Sequence, residues 1–414
     1  MYRSRRPQSA RRLTNPLANL ADAAVVAMLL AACGGGGGDP PPSSTTTAAP
    51  TDPWATAQAQ VANFGGAATV VSPYVPATTP PGTLAPPPPG PVTLAPDALC
   101  SAQATICLPA GIVLDSTGNV YVAAGNAIYK FTPTGTKSLF AGSTSAGYAD
   151  GPAVAALFNT PEGITFDASG NLLVADGGNN LIRQIAPDGS VTTVAGSTAA
   201  GDADGTGSAA SFNAPLDVAV DASGDIFVAD GDNKAIRKIS SSGAVTTLAG
   251  SPSAATFSWP TGIAVDSAGN VIVMDNGANK VLKITQAGVV TTVAGTGSTG
   301  STNGAGSQAT FGSTGPHDPL HAVIQYGPAG IVVDKFGYIF VVDRGNNEIR
   351  MITPSGVVST LVGQPGQTWG SSNGIGSAAL FDTPAHIAMD SNANLYVTED
   401  GNSDVRLLAP VSSH

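Results

Sequence analysis

The sequence predicts an all-β chain, a β-propeller of four-stranded antiparallel blades, on three observations. Residues 161–196, PEGITFDASGNLLVADGGNNLIRQIAPDGSVTTVAG, recur: related copies begin at Pro109, Pro215, Pro260, Pro328 and Pro384. Each copy divides into short apolar runs rich in β-branched residues, separated by Gly, Asn and Asp. Glycine (51) and proline (32) are abundant while charged residues make up only 11% of the chain, a mix that suits many short strands joined by turns. Recurrence at a long, roughly fixed period outweighs any single motif.

Within residues 161–196 the first strand is Gly163-Ile-Thr-Phe-Asp167, ending in the turn Asp167-Ala-Ser-Gly170-Asn171. There Asp can bond the backbone two residues on, and Gly supplies the positive φ. Leu172-Leu-Val-Ala175, Leu181-Ile-Arg-Gln-Ile185 and Val191-Thr-Thr-Val194 follow as the second, third and fourth strands. Four antiparallel strands per unit, repeated about an axis, describe a propeller blade.

The paired motifs P-x-G-I-x-x-D-x-x-G-N and D-x-x-N-x-x-I-R-x-I resemble the NHL repeat family over nearly all of residues 109–410. Six copies then imply a six-bladed propeller with blades starting near 109, 161, 215, 260, 328 and 384. Start-to-start spacings of 52, 54, 45, 68 and 56 place most of the length variation in the crossovers. Blade one shortens its middle loop to Gly125-Asn126, blade four has Leu282 in the arginine position, and blade six has His386 in a glycine position. The sixth copy lacks a V-T-T-x-A-G strand, and Gly90-Pro91-Val92-Thr93-Leu94-Ala95 precedes the first. Residues 91–95 are therefore expected to supply the outer strand of blade six, so that no edge stays open and the propeller spans 91–410.

Ahead of the repeats, Arg3, Arg5, Arg6, Arg11 and Arg12 precede the apolar run Ala23-Ala-Val-Val-Ala-Met-Leu-Leu30. A basic stretch, a short apolar stretch and small residues make a secretory signal, too short to remain as a membrane span. Leu30-Ala31-Ala32-Cys33 closely resembles the lipobox of bacterial lipoproteins. That resemblance implies that residues 1–32 are a signal peptide removed before Cys33, that Cys33 carries the lipid, and that the protein is anchored in the bacterial cell envelope; Gly34 after the cysteine favours the outer membrane. Several acyl chains anchor stably where one would not. Residues 33–90 then form a tether. Rich in Gly, Pro, Ser, Thr and Ala, it is expected to be disordered, with a coil dimension of about 40 Å. Cys100 and Cys107 are expected to pair as a disulfide in an oxidising periplasm; a metal-binding pair is the alternative.

The net charge of −11 becomes more negative still once the arginine-rich leader is gone, which argues against a nucleic-acid partner. The crossovers repeat a D/N-G step followed by A-x-F: Asp150-Gly151 with Phe158, Asp204-Gly205 with Phe212, Asn303-Gly304 with Phe311, Asn373-Gly374 with Phe381. Each phenylalanine is expected to wedge between blades. Asp176, Asp230, Asp343 and Glu399 stand seven residues before Arg183, Arg237, Arg350 and Arg406, a spacing that lets two hairpin strands join them in charge-assisted bonds. Asp115, Asp167, Asp221, Asp266, Asp334 and Asp390 have the place of turn formers. No loop has the full calcium-binding spacing.

Departures from the repeat point to function. Asp217 and His386 replace the glycine of P-x-G-I, half a turn apart in a six-fold ring, and Glu162 lies beside the same rim. The insertion at 312–327 adds His317, Asp318, His321 and Tyr326. Glu162, Asp217, His317, Asp318, His321 and His386 are thus the candidate ligand residues at the channel mouth. Their types suit metal binding or acid–base work. The resemblance implies first a binding platform for a protein, peptide or glycan, without a cofactor. The alternative is a metal-dependent lyase or lactonase-type hydrolase holding one zinc or calcium ion at the channel mouth. The chain shows neither a three-histidine set nor a convincing acid/Asn set for that chemistry.

Overall fold

A computed structural model describes residues 58–63, 109–313, 329–365 and 369–411, all within the compact unit Pro50–His414. Six antiparallel sheets form the six blades. In blade two the main strands are Pro161–Phe166, Leu172–Asp176, Leu181–Ile185 and Ser190–Gly196. Register runs from Phe166 opposite Leu172, through Leu172 opposite Ile185, to Ile185 opposite Val191. The first strands of neighbouring blades touch one another, so they line the central channel.

The turn aspartates do what their place predicts. The Asp167 Oδ1 accepts the N–H groups of Ser169 (2.8 Å) and Asn171 (2.9 Å), while Gly170 takes φ +80°. Asn180, at φ +57°, closes the loop between the second and third strands. Asparagine tolerates that left-handed conformation better than most side chains.

The core is not central. It consists of six apolar clusters, each shared by two adjacent blades. One joins Ile128 and Ala141 of blade one to Leu172 and Val191 of blade two; another joins Ile112 and Phe131 of blade one to Ala388 and Val405 of blade six. The crossover phenylalanines Phe158, Phe212, Phe311 and Phe381 are fully buried in these wedges, as expected. Each also carries an arginine guanidinium about 5 Å from its ring: Arg183, Arg237, Arg350 and Arg406 respectively.

Those arginines make the expected bonds to the acids seven residues earlier, at 2.8 Å (Asp176), 2.9 Å (Asp230), 2.9 Å (Asp343) and 2.7 Å (Glu399). The same guanidinium reaches the D/N of the crossover: Arg183 to Asp150 and Arg350 to Asn303. The D/N-G step, the phenylalanine, the arginine and the acid are thus one device that ties a crossover to its blade. Blade four has Leu282 instead of arginine, and its Asp275 accepts the backbone N–H groups of Ser258 (2.9 Å) and Trp259 (2.8 Å).

Two features differ from expectation. Four blades gain a fifth, two-residue edge strand from the crossover, such as Gly151–Pro152 against Ser190–Gly196. The closing strand is also not the expected one. Gln58–Asn63 pairs along Asp404–Val411, with Gln58 opposite Val411 and Asn63 opposite Arg406, and takes the fourth-strand position of blade six, between that strand and Gly374–Ile375. Among the described residues the first propeller strand is therefore Gln58–Asn63, inside the stretch assigned to the tether, and residues 91–95 lie outside the described residues. An outer strand needs only backbone N–H and C=O groups in antiparallel register. The repeat-like sequence of 90–95 was therefore a poor guide, and QAQVAN, which does not resemble the repeat, fills the place.

Candidate functional site

Two columns of the repeat meet at one end of the channel. The residue between proline and glycine in P-x-G-I is Ala110, Glu162, Leu216, Thr261, Ala329 and Ala385 in blades one to six, and all six line a cavity of about 320 Å³. The residue that follows the second strand is Gly125, Gly177, Gly231, Asn276, Arg344 and Asp400. In this column the first three blades carry no side chain and the last three carry polar ones; Gly125, Asn276, Arg344 and Asp400 also line the cavity. Trp259, from the crossover into blade four, completes the wall.

One layer down is the glycine column: Gly111, Gly163, Asp217, Gly262, Gly330 and His386. Here the inner strands approach so closely that a side chain has no room. A Cβ on Gly330 would stand 2.7 Å from the Cα of His386 in the next blade, and one on Gly163 would stand 2.6 Å from the Cα of Asp217. Both departures from glycine therefore mark places where the ring admits a side chain.

Asp217 is buried, 6% exposed, and both carboxylate oxygens are engaged. Its Oδ1 accepts the N–H of Val218 and its Oδ2 the N–H of Ile263 in blade four, each at 2.9 Å. It joins two inner strands and lines the channel below the mouth, a second void of about 240 Å³, rather than the mouth cavity itself. Burial pushes its carboxyl up to about 7; the two backbone donors oppose this and the nearby Glu162 adds to it.

Glu162 is in the mouth cavity, half-buried, and its carboxylate accepts no hydrogen bond from the described residues. Burial, and then the charge of Asp400, push it up to about 7 against the opposing pull of Arg344. A Cβ on Gly177 would lie 3.4 Å from the Glu162 Cγ, so the missing side chain there leaves the acid uncovered. His386 borders both voids, and its ring makes no hydrogen bond to the described residues. Burial and then the Arg344 charge hold it down to about 4, which keeps the imidazole neutral at pH 7. Arg344 itself is held by Asp400 at 2.5 Å.

Of the candidates read from the sequence, the structure brings Glu162 and His386 to the cavity and sets Asp217 beneath it. His317, Asp318 and His321 lie outside the described residues, as do Cys33, Cys100 and Cys107. Arg344, Asp400 and Trp259 were not anticipated, although the first two break the glycine trend of their column and could have been found by aligning it. Among the described residues no three His, Cys, Asp or Glu side chains gather as a metal site. Glu162 and His386 stand in blades two and six with blade one between them, and do not by themselves form a metal-ligand set.

The family model described as NHL repeat matches residues 158–185, 212–239 and 257–284, in blades two, three and four. No curated protein matches the chain. Among solved structures, an auxiliary nutrient binding protein from Bacteroides ovatus is similar at 17% identity and TM-score 0.53, over 74% of this chain and 73% of that one. A second auxiliary nutrient binding protein, from Bacteroides thetaiotaomicron, is similar at 12% identity and TM-score 0.52, over 73% and 69%. A gluconolactonase from Xanthomonas campestris is similar at 14% identity and TM-score 0.50, over 74% and 87%. At these identities the likeness is one of fold. Six wedge-joined sheets, a ring closed by an N-terminal strand and three direct repeat matches agree: the chain is a six-bladed β-propeller carrying NHL repeats.

Proposed function

We propose that the protein is a binding platform of the bacterial cell envelope, anchored through a lipid on Cys33, that holds its ligand at the channel mouth. The observation that carries this reading is the mouth cavity. It is concave and mostly apolar, and two polar side chains on it, the Glu162 carboxylate and the His386 ring, have no hydrogen-bond partner among the described residues. Those are the general features of a ligand pocket. The nutrient-binding likenesses are compatible with it but add only the fold. A metal-dependent lyase or lactonase needs a donor set that the described residues do not gather. The lipobox supports the anchor. From Cys33 to Gln58 the chain could reach at most about 85 Å if fully extended, enough to hold the propeller clear of a membrane surface.

The test is a thermal-shift screen of the purified full chain against envelope glycan fragments, short peptides and small amines. It is repeated with Ala110→Leu, which narrows the cavity with the side chain that Leu216 already presents at the same repeat position. The proposal expects at least one ligand class to raise the melting temperature in the parent protein and not in the variant. Ligands that stabilise both proteins equally would place recognition elsewhere.

A further inference from the structure

We infer that the channel-mouth cavity takes a primary ammonium group on a short aliphatic stem, with Glu162 as its counter-ion. This rests on the reading of the mouth as a binding site and names the chemistry that site would select.

The charges of the cavity leave one position unfilled. Its only described cation, Arg344, is held by Asp400 at 2.5 Å. Glu162 faces the same space with no donor bonded to it among the described residues, and Gly177 leaves it uncovered. Among the described residues, the groups around it would not supply a positive charge in place of a ligand. His386 is kept neutral at pH 7, Asp400 adds negative charge, and Asp217 below is engaged with the backbone. A carboxylate removed from water without a partner is costly, and a cation that brings its own N–H donors offsets that cost.

The walls indicate the rest of the ligand. Ala110, Leu216, Ala329 and Ala385 offer an apolar surface to an alkyl stem, and the Trp259 ring adds an aromatic surface of the kind that attracts ammonium groups. An anion would face Glu162 and Asp400 together. A sugar would need several directed hydrogen bonds, and most of the ring at this level consists of alanine and leucine side chains. The chain's net charge of −11 also favours the approach of cations.

The experiment is calorimetric titration of the purified full chain with n-butylammonium, and with n-butanol as a neutral match of the same size. Expected at pH 8 is saturable binding of the amine, with the alcohol about ten-fold weaker or more, as a charge-assisted contact implies. Binding should weaken as the pH falls from 8 to 6 and Glu162 takes up a proton. Glu162→Gln should bind the amine about ten-fold more weakly or worse, while melting no lower than the parent, which shows that it is folded. Equal affinity for amine and alcohol, or unchanged amine binding by Glu162→Gln, would overturn the inference. So would failure of the amine to bind while other ligands still bind in an Ala110-sensitive way; in that case the mouth remains a binding site. If nothing binds in an Ala110-sensitive way, the reading of the mouth as a binding site falls as well.

Discussion

Replacing Arg183 by leucine imposes on blade two the residue that blade four already carries at Leu282. The guanidinium of Arg183 donates four hydrogen bonds: to Asp176 at 2.8 Å, to the Leu157 carbonyl at 3.1 Å, to the Ala149 carbonyl at 2.9 Å and to Asp150 at 2.6 Å. The side chains of Arg183 and Asp176 are both fully buried. Removing the cation leaves a buried acid that keeps only the Asn159 N–H and the Asn179 amide, and frees two carbonyls of the crossover. Breaking such a pair from one side costs about 3–5 kcal/mol. At an unfolding entropy of about 2 cal/mol/K per residue over roughly 300 residues, that lowers the melting temperature by about 5–8 °C. Scanning calorimetry of the full chain at pH 7 reads this directly. The double variant Arg183→Leu, Asp176→Asn should recover part of the loss, because no bare buried charge remains. Blade four manages without the arginine only because Ser258 and Trp259 donate to Asp275 from a crossover of different sequence. A shift below about 2 °C for the single variant would be too small for this mechanism and would refute the claim that the arginine fastens the crossover.

Two further expectations rest on the geometry of the propeller and a third on the lipobox. Glu162 has a folded value of about 7 against an ordinary 4.5, so the folded protein binds the extra proton: its contribution to stability is full below 4.5 and is lost as the pH rises through 7. Glu162→Gln should therefore flatten that fall and be more stable than the parent above pH 7, by up to about 2–3 kcal/mol in unfolding free energy after allowing for partial exposure; identical pH profiles would contradict the assignment. Deleting residues 58–63 should bare the edge of Asp404–Val411, lower the melting temperature and promote association seen by size-exclusion chromatography, and an unchanged elution and melting profile would contradict the closure. Cys33→Ser should move the protein from the membrane to the soluble fraction, and unchanged membrane retention would contradict the lipid anchor.

Much of the fold was legible because the repeat writes the same contacts over and over, the turn aspartate in all six blades and the acid–arginine pair in four. The pairing of Asp176 with Arg183, the burial of Phe158 and the turn at Asp167 each recur in sequence as they recur in space. The closing strand was not legible, because Gln58–Asn63 is bound through its backbone and owes the repeat no side chain. The site was half legible. His386 stood out as a departure in the glycine column of the inner strand, and Glu162 as the acid beside the same rim. Arg344 and Asp400 did not, because their column sits in a loop whose length changes in blade one. Asp217 stood out too, but its carboxylate is taken up by Val218 and Ile263, a use that depends on how closely the next blade's strand approaches. The sequence alone does not carry that distance.

The most direct test of the central claim is a crystal structure of the protein with whichever ligand gives the strongest Ala110-dependent stabilisation. The ligand should lie in the mouth cavity, in contact with Glu162 and within reach of Trp259 and His386. Density for it on an outer blade face or in the channel below Asp217, with the mouth empty, would contradict the account.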